Sequence, residues 1–259
     1  MTTTSGAFDS HLETWKREQQ TPWQRVRRKV ETCNLLRHID PPGLKILDAG
    51  GGNGSPVVPL AQDGCQVVVA DCSEAMVADG RQLMAEIGLD EMVSFVLTWL
   101  EDLSRVVQGQ EFDVVLCHNV LEYVQSIPRV LRSILRPLKS QGMVSITCKN
   151  RYSIAYHHAF LGGDLRAARA ALGATQTNTI FESPARAFAV DDIVRLLEGQ
   201  GCVIQADYGL RCMIDYWGDD ERKRDPGTLA QLEEVEQALS PEYPYKLLAR
   251  HFQVIARKG

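Results

Sequence analysis

The run Ile46-Leu47-Asp48-Ala49-Gly50-Gly51-Gly52-Asn53-Gly54-Ser55-Pro56 reads as a strand, a glycine turn and a helix start in one continuous stretch. Glycines at positions 50, 52 and 54 let the backbone take conformations closed to residues with a Cβ, and they let a ligand approach the main chain. Ser55 suits a helix N-cap and Pro56 the first helical position. The free N–H groups of such a helix start, with about half a positive charge from the dipole, favour a carboxylate or phosphate. The run therefore predicts a site for an anionic cofactor.

Spacing separates the cofactor classes that use glycine turns. A phosphate loop needs Gly-x-x-x-x-Gly-Lys-Ser/Thr, which does not occur in the chain. The dinucleotide pattern Gly-x-Gly-x-x-Gly/Ala can be laid on Gly50 and Gly52, but its third position then falls on Ser55. The run better resembles the Asp/Glu-x-Gly-x-Gly-x-Gly signature of the class I S-adenosylmethionine (SAM)-dependent methyltransferases, with Asp48, Gly50, Gly52 and Gly54 all in place.

The segments that follow extend this reading. Gln66-Val67-Val68-Val69-Ala70 is a buried-strand run that ends at Asp71. In doubly wound nucleotide-binding folds a carboxylate at the end of the second strand, about 20 residues after the glycines, accepts hydrogen bonds from ribose hydroxyls. Ser73 is a plausible N-cap for the next helix. A third strand over 92–97 leads into Thr98-Trp99-Leu100-Glu101-Asp102, where the resemblance places the adenine edge, with Leu100 and Glu101 as candidate contacts and Trp99 as a departure from the short acid of many relatives. A fourth strand over 112–117 ends at His118, a candidate cofactor contact whose imidazole could instead act as a general base or sit as a bonded core residue.

The alternation of strands and helices predicts an α/β fold, a doubly wound, mostly parallel seven-stranded sheet of the Rossmann-like methyltransferase type with a helical lid insertion. At 259 residues, 44% hydrophobic and 24% charged, the chain reads as one elaborated domain over 1–259. Within it we expect an N-terminal helical cap (1–44), a cofactor-binding core (45–148), an inserted substrate lid (149–186) and the C-terminal half of the core (187–259). In the lid, 152–161 and 165–172 look helical and 173–184 is polar. The core resumes with an amphipathic helix bearing Val190, Ile193, Leu196 and Leu197 on one face. A strand over 202–208, a charged loop, a helix ending at Leu239 and a strand over 252–256 complete it.

Residues 1–20 are polar and carry no secretory pattern, and no apolar run is long enough to span a bilayer, so no membrane partner is expected. The seven scattered cysteines lack ligand spacing, and His157 and His158 are adjacent and point to different faces, so no metal is expected. Such thiols suit a reduced, cytoplasmic protein. A net charge of −5 gives no overall attraction to nucleic acid.

Across nearly its whole length the chain resembles the CmoM (SmtA) family, which methylates the carboxylate of 5-carboxymethoxyuridine at the tRNA wobble position. The resemblance is carried by Trp23-Gln24-Arg25, Leu47 to Gly52, Asp71, His118-Asn119-Val120-Leu121-Glu122-Tyr123, Tyr208-Gly209-Leu210-Arg211 with Asp215-Tyr216, and Ala249-Arg250. It implies SAM as cofactor, contacted by Arg25, Gly50, Gly51, Asp71, Leu100, Glu101 and His118, with Asp48 and Gly52 belonging to the same motif. A guanidinium such as Arg25 can hold the methionine carboxylate in a bidentate pair, although Arg25, Arg27, Arg28 and Lys29 also read as a solvated basic face.

A carboxylate acceptor is already ionised near neutral pH and needs no catalytic base. Catalysis then rests on alignment, which can supply roughly 7–11 kcal/mol. Arg211 is the first candidate for anchoring the acceptor, with Tyr152, Tyr243 and Arg250 as neighbours. The partner is then the tRNA anticodon loop. Where some family members carry lysines, however, this chain has Thr175-Gln176-Thr177-Asn178-Thr179-Ile180, leaving the run 25–29, Lys149, Arg151, Arg166, Arg169 and Arg186 as basic candidates. The alternatives are a small-molecule acceptor (a carboxylic acid, phenol or amine) and, from another class, a non-catalytic SAM-binding module.

Overall fold

The computed structural model describes residues 9–178 and 184–259. Its centre is a seven-stranded sheet in the order β3-β2-β1-β4-β5-β9-β8. Strands β1 (Lys45–Ala49), β2 (Gln66–Asp71), β3 (Val93–Leu97), β4 (Phe112–His118) and β5 (Leu138–Lys149) run parallel. The strands β8 (Cys202–Leu210) and β9 (His251–Lys258) close that edge, with β9 antiparallel to both β5 and β8. The central strands are apolar throughout because helices cover both faces.

One face is covered by α2 (Pro22–Leu36), α3 (Val58–Gln62) and α4 (Glu74–Glu86), whose Leu35, Leu60, Val77 and Met84 pack on Ile46, Val67 and Val69. The other is covered by α5 (Leu103–Val106), α6 (Ile127–Leu135) and α9 (Val190–Glu198). On α9, Ile193 and Leu197 are fully buried and Val190 and Leu196 partly so, as the amphipathic pattern predicts. The helix α10 (Pro226–Leu239) packs on α2 through Leu229 and Leu232 against Val26 and Val30. Preceding these, α1 (Leu12–Gln19) buries none of its residues.

The strand order reverses at β1, with β2 on one side and β4 on the other, so a crevice opens at the C-terminal ends of these parallel strands. The glycine turn lies there, with Gly50, Gly52 and Gly54 at φ +83°, +58° and +72°. A Cβ on Gly50 would meet the Val120 side chain at 2.5 Å, which fixes glycine at that position. Ser73 caps α4 by accepting the Met76 N–H at 3.1 Å, as expected.

The start of the first helix differs from expectation. Ser55–Val57 is a 3-10 turn whose N-cap is the left-handed Gly54, and only five α-helical residues follow. Ser55 does not cap: it is the first residue inside the turn, Gly54 holds the N-cap position, and the Ser55 N–H donates to Asn53 Oδ1 at 3.0 Å. The segment after β5 holds α7 (Ser153–Phe160) and α8 (Leu165–Ala170), then a hairpin of β6 (Gln176–Asn178) and β7 (Pro184–Arg186) that its polar sequence did not announce. Thr179 and Ile180 lie outside the described residues. No helix among the described residues is long and apolar enough to cross a membrane.

Candidate active site

A cavity of about 1300 Å³ occupies the crevice. That exceeds the roughly 300–1,000 Å³ that houses one drug-sized ligand, so two molecules fit side by side. Its walls come from the glycine turn, the ends of β2, β4 and β5, the helices α1 and α2, and the loop after β8.

At the glycine end, Asp48, Gly50, Gly51, Gly52, Asp71, Leu100 and Glu101 all line the cavity, together with the half-exposed Trp99. Asp71 Oδ2 accepts the Gly52 N–H at 2.9 Å and Oδ1 accepts the Ser73 N–H at 2.9 Å. One bond per oxygen leaves acceptor capacity for hydroxyl donors. Burial raises Asp71 above the usual carboxylate range, against the pull of these N–H bonds. Asp48, directly under Gly51, is pushed up to about 7, chiefly by burial and then by the charges of Glu31 and Asp71.

Between the two ends runs a buried polar network. Glu31 Oε1 accepts the Thr147 hydroxyl at 2.6 Å and lies 3.5 Å from Arg27 Nη1 and 3.6 Å from His118 Nδ1. Burial would raise the Glu31 pKa, but His118, Arg27 and the Thr147 bond outweigh it and hold the carboxylate below its ordinary value. His118 Nε2 meets Ser145 Oγ at 2.8 Å, and burial lowers its pKa. Ser145 also accepts from Gln253, which in turn accepts from Asn34 at 3.1 Å, tying α2 to β5 and β9. Both His118 nitrogens thus face protein groups, Glu31 on one side and Ser145 on the other. Beside it, Asn119 sits at φ +56° and its buried Oδ1 has no partner.

The far end is lined by Glu122, Lys149, His157, Arg211, Asp215, Arg250 and His251. Arg211 takes a left-handed backbone, φ +61°, a conformation that is costly for a residue with a side chain and is concentrated at functional sites. The buried Glu236 of α10 holds it there by accepting the N–H groups of Cys212, Met213 and Ile214 at 2.6–2.7 Å. The guanidinium Nε then donates to Asp215 Oδ1 at 2.8 Å, and Arg250 Nε lies 3.9 Å from the other oxygen.

Three of the expected site residues lie elsewhere. Arg25 is exposed and does not line the cavity, whereas Arg27 is buried and does. The reason is helical period: on α2 the residues Val26, Arg27, Val30, Glu31 and Asn34 share the inner face, and Arg25 and Lys29 point out. That period was legible beforehand and selects Arg27. Tyr152 and Tyr243 are 52% and 72% exposed and also stand outside the cavity. Tyr152 instead lies under the Arg151 guanidinium, 5.1 Å from ring centroid to Cζ. The same period of α2 places Glu31 on the inner face, whereas Glu122, His157 and His251 are brought together only by the fold.

Among the described residues no group of His, Cys, Asp or Glu is placed to hold a metal ion. All seven cysteines are free, with Cys65, Cys117, Cys148 and Cys202 buried.

The strand order, the glycine turn and the acid at the end of β2 define the class I methyltransferase fold, and residues 47–146 match the family model described as a methyltransferase domain. The protein is a SAM-dependent methyltransferase. Over 224 residues it is 27% identical to the tRNA 5-carboxymethoxyuridine methyltransferase of Escherichia coli (strain K12), covering 86% of this chain and 84% of that one. A ubiquinone biosynthesis O-methyltransferase of Pseudomonas aeruginosa is 34% identical over 122 residues, 47% of this chain and 51% of that one. Among solved structures, the magnesium protoporphyrin IX methyltransferase of Synechocystis with bound S-adenosylhomocysteine (SAH) superposes with a TM-score of 0.65 at 17% identity, covering 98% of both chains.

Proposed function

We propose that the protein methylates the carboxylate of 5-carboxymethoxyuridine at the wobble position of tRNA. The observation that carries the reading is the make-up of the cavity's far end, which gathers the cations Lys149, Arg211 and Arg250. Such an end suits an acceptor that arrives as an anion and needs no deprotonation. The likeness to the E. coli tRNA enzyme supports the same acceptor.

When bound, SAM supplies an electrophilic methyl group on a sulfonium sulfur. The residues fit it: Asp71 retains acceptor capacity for ribose hydroxyls, Leu100 and Glu101 border the space for adenine, and Asn119 Oδ1 and Arg27 offer an acceptor and a fork for the amino acid end. His118 and Glu31 fix Arg27 and the middle of the cavity. Arg211, aimed by its strained backbone and Asp215, orients the acceptor with Arg250. The segment 149–186 forms the acceptor-side wall, contributing Lys149, His157, Leu161 and Ala185.

A small carboxylic acid is the second reading, favoured by the acidic net charge of −5 and by the enclosure of the cations within the cavity. Incubating the protein and SAM with bulk tRNA from a strain lacking the wobble carboxyl-methyl step, then analysing nucleosides by mass spectrometry, decides between them. A new methyl ester of 5-carboxymethoxyuridine supports the tRNA reading. Its absence, with SAM binding demonstrated, moves the acceptor to metabolites.

A further inference from the structure

Lys149 is the last residue of β5 and its backbone is clamped on both sides. Its N–H donates to Glu122 Oε1 at 2.8 Å, its carbonyl accepts the Phe188 N–H at 2.9 Å, and it stands opposite His251 in the β5–β9 register. The side chain reaches into the cavity and makes no ion pair among the described residues.

The charges around it do not balance. Arg250, Glu122, Arg211 and Asp215 all act on Lys149. Asp215 is already engaged by Arg211, with Arg250 at 3.9 Å from its second oxygen. Burial pushes Glu122 up to about 7, so it is a weak counter-charge. His157 and His251, the remaining titratable neighbours, are kept neutral by burial. Three cations thus face one committed carboxylate. Burial also pulls Lys149 down to about 8. A half-buried cation without a partner is costly, and a site that maintains one is built for an anion. The wall also has unfilled bonding capacity: the buried His157 Nδ1 and His251 Nδ1 have no hydrogen-bond partner and can donate to an anion as N–H, whereas the unpartnered carboxylate oxygens Glu122 Oε2 and Asp215 Oδ2 can only accept and leave the anion to the cations.

We propose that Lys149 and Arg250 form an anion subsite that selects a carboxylate-bearing acceptor and releases it once it is esterified, Lys149 being the residue that sets this discrimination. The inference rests on reading this end of the cavity as the acceptor end, and it deepens that reading. Transfer of the methyl group forms an O–CH₃ bond on the carboxylate, breaks the S–CH₃ bond of the sulfonium and leaves a neutral ester beside a neutral thioether. No proton moves. The product no longer neutralises Lys149, so the subsite favours the substrate over the product by its charge alone.

The test uses SAH-saturated protein and two probes, phenoxyacetate and its methyl ester, with binding read by ligand-observed NMR titration. Phenoxyacetate is expected to bind the wild type at least about tenfold tighter than the ester, since each tenfold corresponds to one ordinary charge-assisted contact. Lys149→Gln should bring the two within about threefold of each other while SAH affinity is unchanged, and Lys149→Arg should keep the preference. A preference retained in Lys149→Gln, absent in the wild type, or lost together with SAH affinity overturns the proposal. The assay involves neither tRNA nor turnover, so failure of the tRNA reading leaves its result standing and the reverse holds too.

Discussion

At the residue scale the cofactor end turns on which arginine faces inward. Arg27 shares the inner face of α2 with Glu31, 3.5 Å away, and Arg25 does not. Arg27→Lys keeps the charge beside Glu31 but loses the planar fork, and should weaken SAH binding by roughly tenfold, one good hydrogen bond to a charged group. Arg25→Ala should leave it within about twofold, as surface substitutions do. Calorimetric titration of both variants checks this, and the opposite ranking would return the role to Arg25. Asp48 gives a second test. Its folded pKa of about 7 lies above its unfolded value, so the fold holds a proton that the unfolded chain has released. The stability this adds is fully present below the unfolded value of about 4, declines as pH rises from there, and is gone once pH has passed the folded value of about 7. Asp48→Asn lacks the term, so its stability relative to wild type should rise by about 1.4 kcal/mol from pH 6 to pH 8. Urea unfolding of the ligand-free proteins measures it; a constant difference would mean Asp48 is ionised throughout.

At the scale of elements, the α1 helix is held over the glycine turn by few contacts. Lys16 donates to Asp79 Oδ1 at 2.6 Å, Asn53 of the turn donates to Asp79 Oδ2 at 2.8 Å, and Asp9 accepts from Ser73 at 2.6 Å. Lys16 is more than a third exposed, so its ion pair is worth little. With no residue of its own buried, α1 belongs to the low-stability end of the molecule, yet Trp15, Glu18 and Gln19 line the cavity. Its amides should exchange fast without ligand and slow on SAH addition, by up to about 2.7 kcal/mol of added protection at a hundredfold excess over Kd. Hydrogen exchange at residues 12–19 reads this, and protection indifferent to SAH would remove α1 from the site. The strands β1, β2 and β4 and helix α9 were legible because apolar runs and amphipathic period dictate them. The 3-10 start at Ser55 was not, since it depends on Gly54 taking a left-handed backbone, with its carbonyl accepting the Val57 N–H while Asn53 Oδ1 accepts the Ser55 N–H. The β6–β7 hairpin lacked any alternation to announce it, and the meeting of Lys149, Arg211 and Arg250 depends on β5 and β8 flanking β9, which no local pattern states.

For the whole molecule, the proposed tRNA acceptor requires an acidic protein to hold a polyanion. A net charge of −5 gives no long-range attraction, so any RNA affinity has to come from local cations. Arg151 is engaged with Asp192 at 3.5 Å and with Tyr152, whereas Arg166 and Arg169 are exposed on α8 and Arg186 is half-exposed on β7, all in the segment that walls the acceptor end. If these three each meet one phosphate of the anticodon loop, log affinity should fall with log salt at about 0.7 per contact, a slope near 2. A fourfold rise in salt then weakens binding by roughly twentyfold. Fluorescence anisotropy with a labelled anticodon stem-loop measures the slope. Arg166→Ala and Arg169→Ala should each reduce it by about 0.7, while leaving SAH affinity unchanged because neither lines the cavity. A flat salt response, or a slope indifferent to both substitutions, would take the polyanion off this face and leave the enclosed Lys149 and Arg250 to a small carboxylate.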